Sequence, residues 1–555
     1  MARGAANGRT KQGGRPLKVD QEVAPSPWVP FRHPVFTVLW IATVISNIGT
    51  WMQNAAAGWL MTSLNPDPLI VSLVQVATAL PMFLFALPAG ALADILDRRR
   101  LLISVQIALT LVIASLGLLV NVNLVTPWIL LAFTFAVGVG SALIAPSWQA
   151  IVPQLVPREH LSPAVALNGV GFNVSRAVGP ALAGVIIGML GLGAPFWINA
   201  ASYLVVIAAL LWWRPLQPPS RHLPAERFGS ALRIGLRHAA NNRHLQSTAV
   251  RAAGFFLFAS AYWALLPLVA RDQVAGGPAL YGTMLGAVGA GAIAGAFVLP
   301  YLKARLGADG LVAVGSLGTA AALVAFALVR APGEALAACV LAGLSWICVL
   351  APLNVSAQVA LPAWVRGRGL SLFVTVQFGA MAFGSAAWGK VASMATLPLA
   401  CFAAAAGAIL TIPLLWRWKL QTGAGIDMSP SSHWPQPVLS EGLEQDMLDD
   451  RGPVLTTIEY RVRAEDRNGF LQAIALLAQQ RRRDGAYGWD VFQDATQDDR
   501  FVEIFYSASW LEHLRQHERV TQADKLAQER VNAFHLGNDP PRVRHLLAAE
   551  AATSA

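Results

Sequence analysis

A chain of 555 residues with 55% hydrophobic and only 13% charged side chains is too apolar for an ordinary soluble protein. Its formal net charge of +10 invites a nucleic-acid reading, but the basic residues are scattered among short polar stretches, so no nucleic-acid partner is expected. Cys339, Cys348 and Cys401 all fall inside apolar segments without ligand-like spacing, which argues against a metal or disulfide framework and leaves them as small core hydrophobes.

Residues 1–33 carry Arg3, Arg9, Lys11, Arg15 and Lys18 but no apolar core. No cleavable signal peptide is visible, and the segment reads as a disordered basic tail. From Pro34 to Trp416 the chain divides into twelve apolar stretches, each near the ~20 residues that cross a bilayer. In order they are Pro34–Met61, Leu69–Ala93, Leu101–Val120, Trp128–Val152, Leu161–Leu190, Pro195–Trp213, Thr248–Ala270, Ala279–Leu302, Gly310–Val329, Ala335–Ala360, Gly367–Ser393 and Leu397–Trp416. A loop over 214–247, holding Arg214, Arg221, Arg227, Arg233, Arg237 and Arg243, separates a first bundle (34–213) from a second (248–419).

Alternate loops hold most of the Lys and Arg: the run Arg98-Arg99-Arg100, Arg158, the central loop, Lys303 with Arg305, Arg366 with Arg368, and Arg417 with Lys419. The opposite loops hold only Arg271 and Arg330. That asymmetry places the basic side and both termini of a multi-pass membrane protein in the cytoplasm.

The stretch PAGALADILDRRRLL, Pro88–Leu102, gathers Gly90, Asp94, Arg98 and Arg99 into one turn between two spans. It resembles the signature loop of the major facilitator superfamily, with Ile95 and Asp97 in place of the usual Arg and Gly. Gly90 would allow close backbone approach and Asp94 would latch the cytoplasmic side. The stretch Gly295–Gly307 occupies the matching place in the second half, with a glycine and a basic pair but no aspartate, as in transporters built from related halves. In the fifth span, Ser175-Arg176-Ala177-Val178-Gly179-Pro180-Ala181-Leu182-Ala183-Gly184 resembles the superfamily's antiporter motif. There Gly179, Pro180 and Gly184 would permit a bend or a tight helix contact, and the resemblance implies efflux.

Arg176 lies ~22 Å into the fifth span at about 1.5 Å per residue. A charge at that depth is a functional candidate by default. No Asp, Glu or His stands near the centre of any predicted span, so Arg176 has no evident acidic partner. Two readings follow: an anionic or electron-rich substrate pairs with it, or it serves as a structural clasp on helix carbonyls or on Asn173 and Asn199. The same census leaves any proton site illegible. The resemblance implies that the first, fourth, seventh and tenth spans line a central cavity. The candidates for substrate contact there are Asn47, Trp51, Gln53, Asn54, Ser147, Gln149, Tyr262, Trp263, Trp346, Asn354 and Gln358.

Three stretches, 46–61, 145–169 and 176–184, look like the branch of bacterial exporters described as transmembrane secretion effectors, which includes the enterobactin exporter. The resemblance implies an all-α polytopic fold of twelve helices in two bundles and proton-coupled export of siderophore-like or other anionic or amphiphilic small molecules.

Residues 420–453 shift to Gly, Ser, Pro and acid and read as a linker. Beyond it, 454–547 alternates as β-α-β-β-α with a basic last stretch, which fits a small α+β ferredoxin-like domain. RRRDGAYGWDVFQD (481–494) and FVEIFYSASWLEHLRQHERVT (501–521) resemble the dimeric α/β-barrel domains related to antibiotic-biosynthesis monooxygenases, which implies dimerisation through this domain. His513 and His517 have i,i+4 spacing that can hold a metal, but no third ligand is apparent in the sequence, so no metal site and no cofactor are expected. With no nucleophile or phosphate loop legible either, the domain reads as a regulatory or dimerising module rather than an enzyme. A domain that modifies or captures the substrate before export is the alternative, and a transporter-like membrane sensor is a third.

Overall fold

The computed structural model describes residues 26–214, 228–362, 364–422, 451–537 and 539–548, with residues 427, 429, 431 and 434 between them. The tail to residue 25, Arg221 and Arg227, and most of the linker lie outside the described residues, as do the side chains of Asp94, Arg158 and Arg233. Where the sequence reads a tail to residue 33, Val29–Arg32 forms a short 3-10 turn.

Helices dominate because an apolar chain in lipid must satisfy every backbone group within its own segment. In chain order they are α1 (Pro34–Leu64), α2 (Pro68–Ile95), α3 (Arg98–Asn121), α4 (Pro127–Leu155), α5 (Leu161–Leu190), α6 (Ala194–Trp212), α7 (Phe228–Asn241), α8 (Arg243–Leu268), α9 (Pro278–Leu328), α10 (Pro332–Val359), α11 (Arg366–Met394) and α12 (Leu397–Leu414). Among the described residues, 11 helices are long and apolar enough to cross a membrane. Met189, Phe297, Met394 and Leu414 are exposed at the surface of the bundle, where water would penalise them and lipid would not.

Local chemistry sets the helix starts. Asp67, Asp97, Thr126 and Thr396 each accept from a backbone N–H in the first turn of α2, α3, α4 and α12, and Pro opens α1, α2, α4, α9 and α10. Asp97, a departure from the signature loop, thus caps α3 by accepting from the Arg100 N–H at 2.7 Å.

Two expectations change. The central loop is not all loop: α7 forms within it, and α8 starts at Arg243 rather than Thr248. Asn242 caps α8 by accepting from the Leu245 N–H at 3.1 Å, which fixes that earlier start. The eighth and ninth predicted spans are one 51-residue helix, α9, interrupted only at Gly307, whose φ of +66° breaks the helical path without a loop. Glycine alone adopts that φ at little cost.

The C-terminal domain comprises β1 (Val454–Arg461), α13 (Arg467–Arg483), β2 (Tyr487–Gln493), β3 (Arg500–Ser507), α14 (Trp510–Arg519), α15 (Gln522–Asn532) and β4 (Arg542–Leu547). Its sheet is antiparallel in the order β2-β3-β1-β4. Alternate residues of β1 and β3 are buried, and Tyr460, Phe501 and Phe505 meet Phe470, Ile474 and Leu477 of α13 in one core. The basic stretch 542–547 is therefore the fourth strand, paired with β1 from Glu459 opposite Arg542 to Val454 opposite Leu547.

The domain rests on the bundle through α7. Arg237 donates to the Gly485 carbonyl at 2.7 Å, and the Arg519 guanidinium lies 4.4 Å from the ring of Trp364, in the α10–α11 turn.

Candidate substrate site and gating contacts

Arg176 sits on α5 with 7% of its surface exposed. Its guanidinium lies 5.8 Å from the Trp263 ring of α8 and 6.0 Å from the Trp346 ring of α10. Trp263 and Trp346 pack edge to face at 5.5 Å, with Tyr262 at 5.4 and 6.2 Å from them. One residue from the first half and three from the second thus converge. The two cation–π contacts lie at the ~6 Å outer limit of that interaction. Arg176 Nη2 and Trp346 Nε1 are buried with no hydrogen-bond partner, and among the described residues Arg176 has no carboxylate partner.

Neither of the two amides offered for the clasp reading meets Arg176. Asn199 donates to Gln53 and lies 3.3 Å from the Tyr203 hydroxyl, while Asn173 donates to the Gly169 carbonyl at 2.8 Å. Both amides are engaged away from the guanidinium. The Gln53 carbonyl is likewise occupied, by Asn199 from α6, so it belongs to a buried α1–α6 bond rather than to the aromatic group around Arg176. Asn47 is half-buried, and Asn354 donates to its own helix at Leu350 O, 3.0 Å. Gln358 is exposed near the end of α10.

The Gly-Pro run of α5 packs against two helices. A Cβ at Gly179 would lie 2.7 Å from the Ile48 carbonyl of α1. On the other side, a Cβ at Gly184 would meet Ala279 at 2.9 Å, one at Gly282 the Pro180 carbonyl at 2.5 Å, and one at Gly289 the Ala177 Cα at 2.5 Å. Small residues therefore let α5 and α9 cross at backbone distance. Gly169, toward the start of α5, meets nothing within 4 Å.

The same end of the bundle carries further links. Arg271, on a π-type turn after α8, donates to the Thr62 carbonyl of α1. Tyr281 of α9 stacks on Trp59 at 6.0 Å and fills the space over Gly58.

At the other end, Arg98 donates to Ala150 O of α4 at 3.2 Å. Arg99 donates to Leu210 O at 2.7 Å and Leu211 O at 2.9 Å, at the C-terminus of α6, where a cation meets the negative end of the helix dipole. Gly90 faces α11, where an added Cβ would sit 3.3 Å from Ser371 Oγ. In the second half the equivalent turn is held differently. Asp309, just past the Gly307 break, pairs with Arg251 of α8 and accepts from the Leu420 N–H at 3.2 Å. Sequence reasoning passed over Arg251, although a charge one turn inside a span was a legible signal.

In the C-terminal domain, the absence of a third histidine is corrected. His545 of β4 joins His513 and His517, and one ring nitrogen from each lies within 4.8 Å of the others. Burial, then the neighbouring His517, His545 and Arg481, hold the His513 pKa down at about 3, and burial lowers that of His545. Both are therefore neutral at pH 7.

A bundle of membrane-length helices, crossing on glycine and closing around one central charge, defines a polytopic protein with the fold of the solute transporters. Within that class, the family model described as Transmembrane secretion effector (MFS_3) matches residues 25–553, and the chain belongs to that family. The match runs through β4, so the C-terminal domain lies inside it. The staphyloferrin A transporter of Staphylococcus aureus is 24% identical over 269 residues, 47% of this chain and 65% of that protein. The enterobactin exporter EntS of Escherichia coli is 25% identical over 387 residues, 69% of this chain and 91% of that protein. Among solved structures, a POT family transporter in complex with 5-aminolevulinic acid aligns with TM-score 0.57 at 13% identity, covering 69% of this chain and 95% of that one. A bacterial homologue of the human lysosomal transporter Spinster, inward-facing and unoccupied, aligns with TM-score 0.52 at 15% identity, covering 70% and 95%. These structures show the shared fold.

Proposed function

We propose that the protein is a secondary active exporter of anionic or amphiphilic small molecules, siderophore-like in chemistry, working by alternating access across a bacterial plasma membrane. The observation that carries this reading is Arg176, buried between the halves with an unsatisfied nitrogen and no acidic partner among the described residues. Placing a cation at the centre of a span costs ~2.5–3.5 kcal/mol on insertion scales, and long cation–π contacts offset only part of it. An electron-rich substrate entering beside Trp263 and Trp346 supplies the missing acceptor. The staphyloferrin A and enterobactin relatives carry substrates named for siderophores, which agrees with that chemistry.

In this reading α9 makes two crossings that meet at Gly307, giving twelve, and the basic loops with both termini are cytoplasmic. The end joined by Arg271 to Thr62 and by Tyr281 to Trp59 is then the outer end, closed here, and the α5–α9 crossing belongs to that closure. Proton coupling is the drive proposed on family grounds. The C-terminal domain, with the strand order β2-β3-β1-β4 of a ferredoxin-like fold, acts as a regulatory module. Its open sheet face presents Phe492 and Leu546, 52% and 51% exposed, for pairing with a second copy.

The test is efflux from cells lacking their own exporters, comparing the intact protein with Arg176→Ala across anionic, neutral and cationic compounds. Loss of anion export by at least ~10-fold at equal membrane content supports the reading, since 1.4 kcal/mol is a factor of ten. Equal export of cationic compounds by both proteins would overturn it.

A further inference from the structure

Three histidines converge in the C-terminal domain, independently of what the membrane bundle carries. His513 and His517 stand one turn apart on α14, with their Nε2 atoms 3.2 Å apart. The third comes from β4, where the register sets His545 opposite Thr456 of β1. Cross-strand partners share a face, and Thr456 is buried, so His545 is on the helix-covered side. The His513 and His545 ring centroids are 4.6 Å apart, and those of His517 and His545 are 6.3 Å apart.

This spacing suits a small ion. Metal–nitrogen bonds of ~2.0–2.1 Å in tetrahedral geometry put ligand nitrogens roughly 3.3 Å from one another. The α14 pair already has that separation, and the His545 nitrogen lies within 4.8 Å of both.

The surroundings favour an added ligand over simple packing. Although His513 and His517 hydrogen-bond each other and Gln516 accepts from Ser507, His513 Nδ1, Gln516 Nε2, Thr456 Oγ1 and Trp510 Nε1 are buried with no hydrogen-bond partner, so the domain's own bonds satisfy this pocket only in part. The neighbouring cation, Arg481, is committed to Glu503 at 3.2 Å and to Gln528 at 2.5 Å, which offsets its repulsion of an incoming ion.

We propose that His513, His517 and His545 form a site for one divalent first-row transition-metal ion, with its fourth position open. An all-imidazole set suits Zn, Cu, Ni or Fe(II) and is wrong for Mg or Ca, which take oxygen ligands. The ion would tie α14 to the edge strand of the sheet. The same helix carries Arg519, which rests on Trp364 of the membrane unit, so occupancy would stiffen the element that docks the domain.

The experiment uses the full chain, purified without a polyhistidine tag, stripped with a chelator and equilibrated with Zn(II) or Co(II). The expected result is one ion per chain and a visible Co(II) absorption band. His513→Ala or His545→Ala should lower metal content by at least ~10-fold. His535→Ala, whose ring accepts from the Arg461 N–H elsewhere in the domain, should retain the ion. Zn(II) should raise the melting temperature of the intact chain and leave that of His545→Ala unchanged. His545 is half-buried on an edge strand, so this variant decides the matter even where His513→Ala fails to fold. Metal uptake below a tenth of an equivalent by the intact chain, or uptake and a Co(II) spectrum unchanged in His545→Ala, would overturn the proposal.

Discussion

The buried arginines of the C-terminal domain and the one at the centre of the bundle are treated oppositely, whereas Arg251, toward one end of the bundle, pairs with Asp309. In the C-terminal domain several are matched by acids: Arg481 with Glu503, Arg483 with Asp484 and Asp524, and Arg519 with Glu512. Burial alone would lower the Arg483 pKa, but its two carboxylates reverse the effect and raise it. At the centre of the bundle Arg176 is as deeply buried, yet it faces indole rings and keeps an unsatisfied nitrogen. A matched arginine fixes structure, because removing one partner strands the other charge. In the reading proposed above, an unmatched arginine between the two halves is poised for a substrate that comes and goes.

The largest effect should come from breaking a matched pair. Arg483→Ala leaves Asp484 and Asp524 buried without their cation and should cost ~3–5 kcal/mol. Limited proteolysis of the full chain should then digest the C-terminal domain while the bundle survives. Arg176→Ala should do the reverse, leaving the melting temperature near that of the intact protein while anion export falls. If both variants unfold their regions equally, the contrast between structural and functional arginines fails.

A smaller effect is expected at the glycine crossing. Gly282→Val puts a side chain 2.5 Å from the Pro180 carbonyl, and overpacking of this kind costs ~1–3 kcal/mol. Expression should persist while export drops, because the α5–α9 closure cannot re-form. Export at the intact rate would show that this crossing takes no part in the cycle.

The smallest effect is pH-dependent and sits where the two regions meet. His238 of α7 is buried against Trp364 at 5.5 Å, and its pKa falls from 6.5 to about 3. Burial is the main cause, followed by the charges of Arg483 and Arg519, with a hydrogen bond to the Arg483 backbone and the Asp524 charge opposing. The unfolded chain takes up a proton near pH 6.5 that the native state resists until about pH 3. This contribution is therefore present in full above pH 6.5 and lost progressively as pH falls toward 3, by at most ~1.4 kcal/mol per pH unit. The C-terminal domain should melt several degrees lower at pH 5 than at pH 7.5, and His238→Gln should reduce that difference, the remainder coming from His513, whose pKa is also held down at about 3. A slope unchanged by the substitution would assign it wholly to other groups.

Much of the architecture was legible because its causes are local. Runs of apolar residues ask for membrane-length helices, and Asp67, Thr126, Thr396 and the opening prolines mark where they start. The α5 helix runs from Leu161 to Leu190 in the sequence reading and in the structure alike. The order of the first three strands and the helices in the C-terminal domain was equally visible, since period-2 alternation is written into β1 and β3, whereas the basic last stretch was not read as a strand and forms β4. The unbroken passage from the eighth to the ninth predicted span was not, because hydropathy dips over Lys303–Asp309 whether the backbone turns away or only kinks at Gly307.

The site divides along the same line. Composition alone singled out Arg176 as a charge without an acid, because a lone cation in an apolar span shows in any hydropathy profile. Which partners meet it was decided by the rotation and crossing of α5, α8 and α10, which bring Trp263 and Trp346 to the guanidinium and give Gln53 to Asn199. The pairing of Arg251 with Asp309 and the arrival of His545 beside His513 and His517 have the same origin. Local sequence sets what each segment becomes, since backbone hydrogen bonds and caps span only a few residues. Long-range packing alone sets which side chains share a space, and in this protein the chemistry lies in those shared spaces.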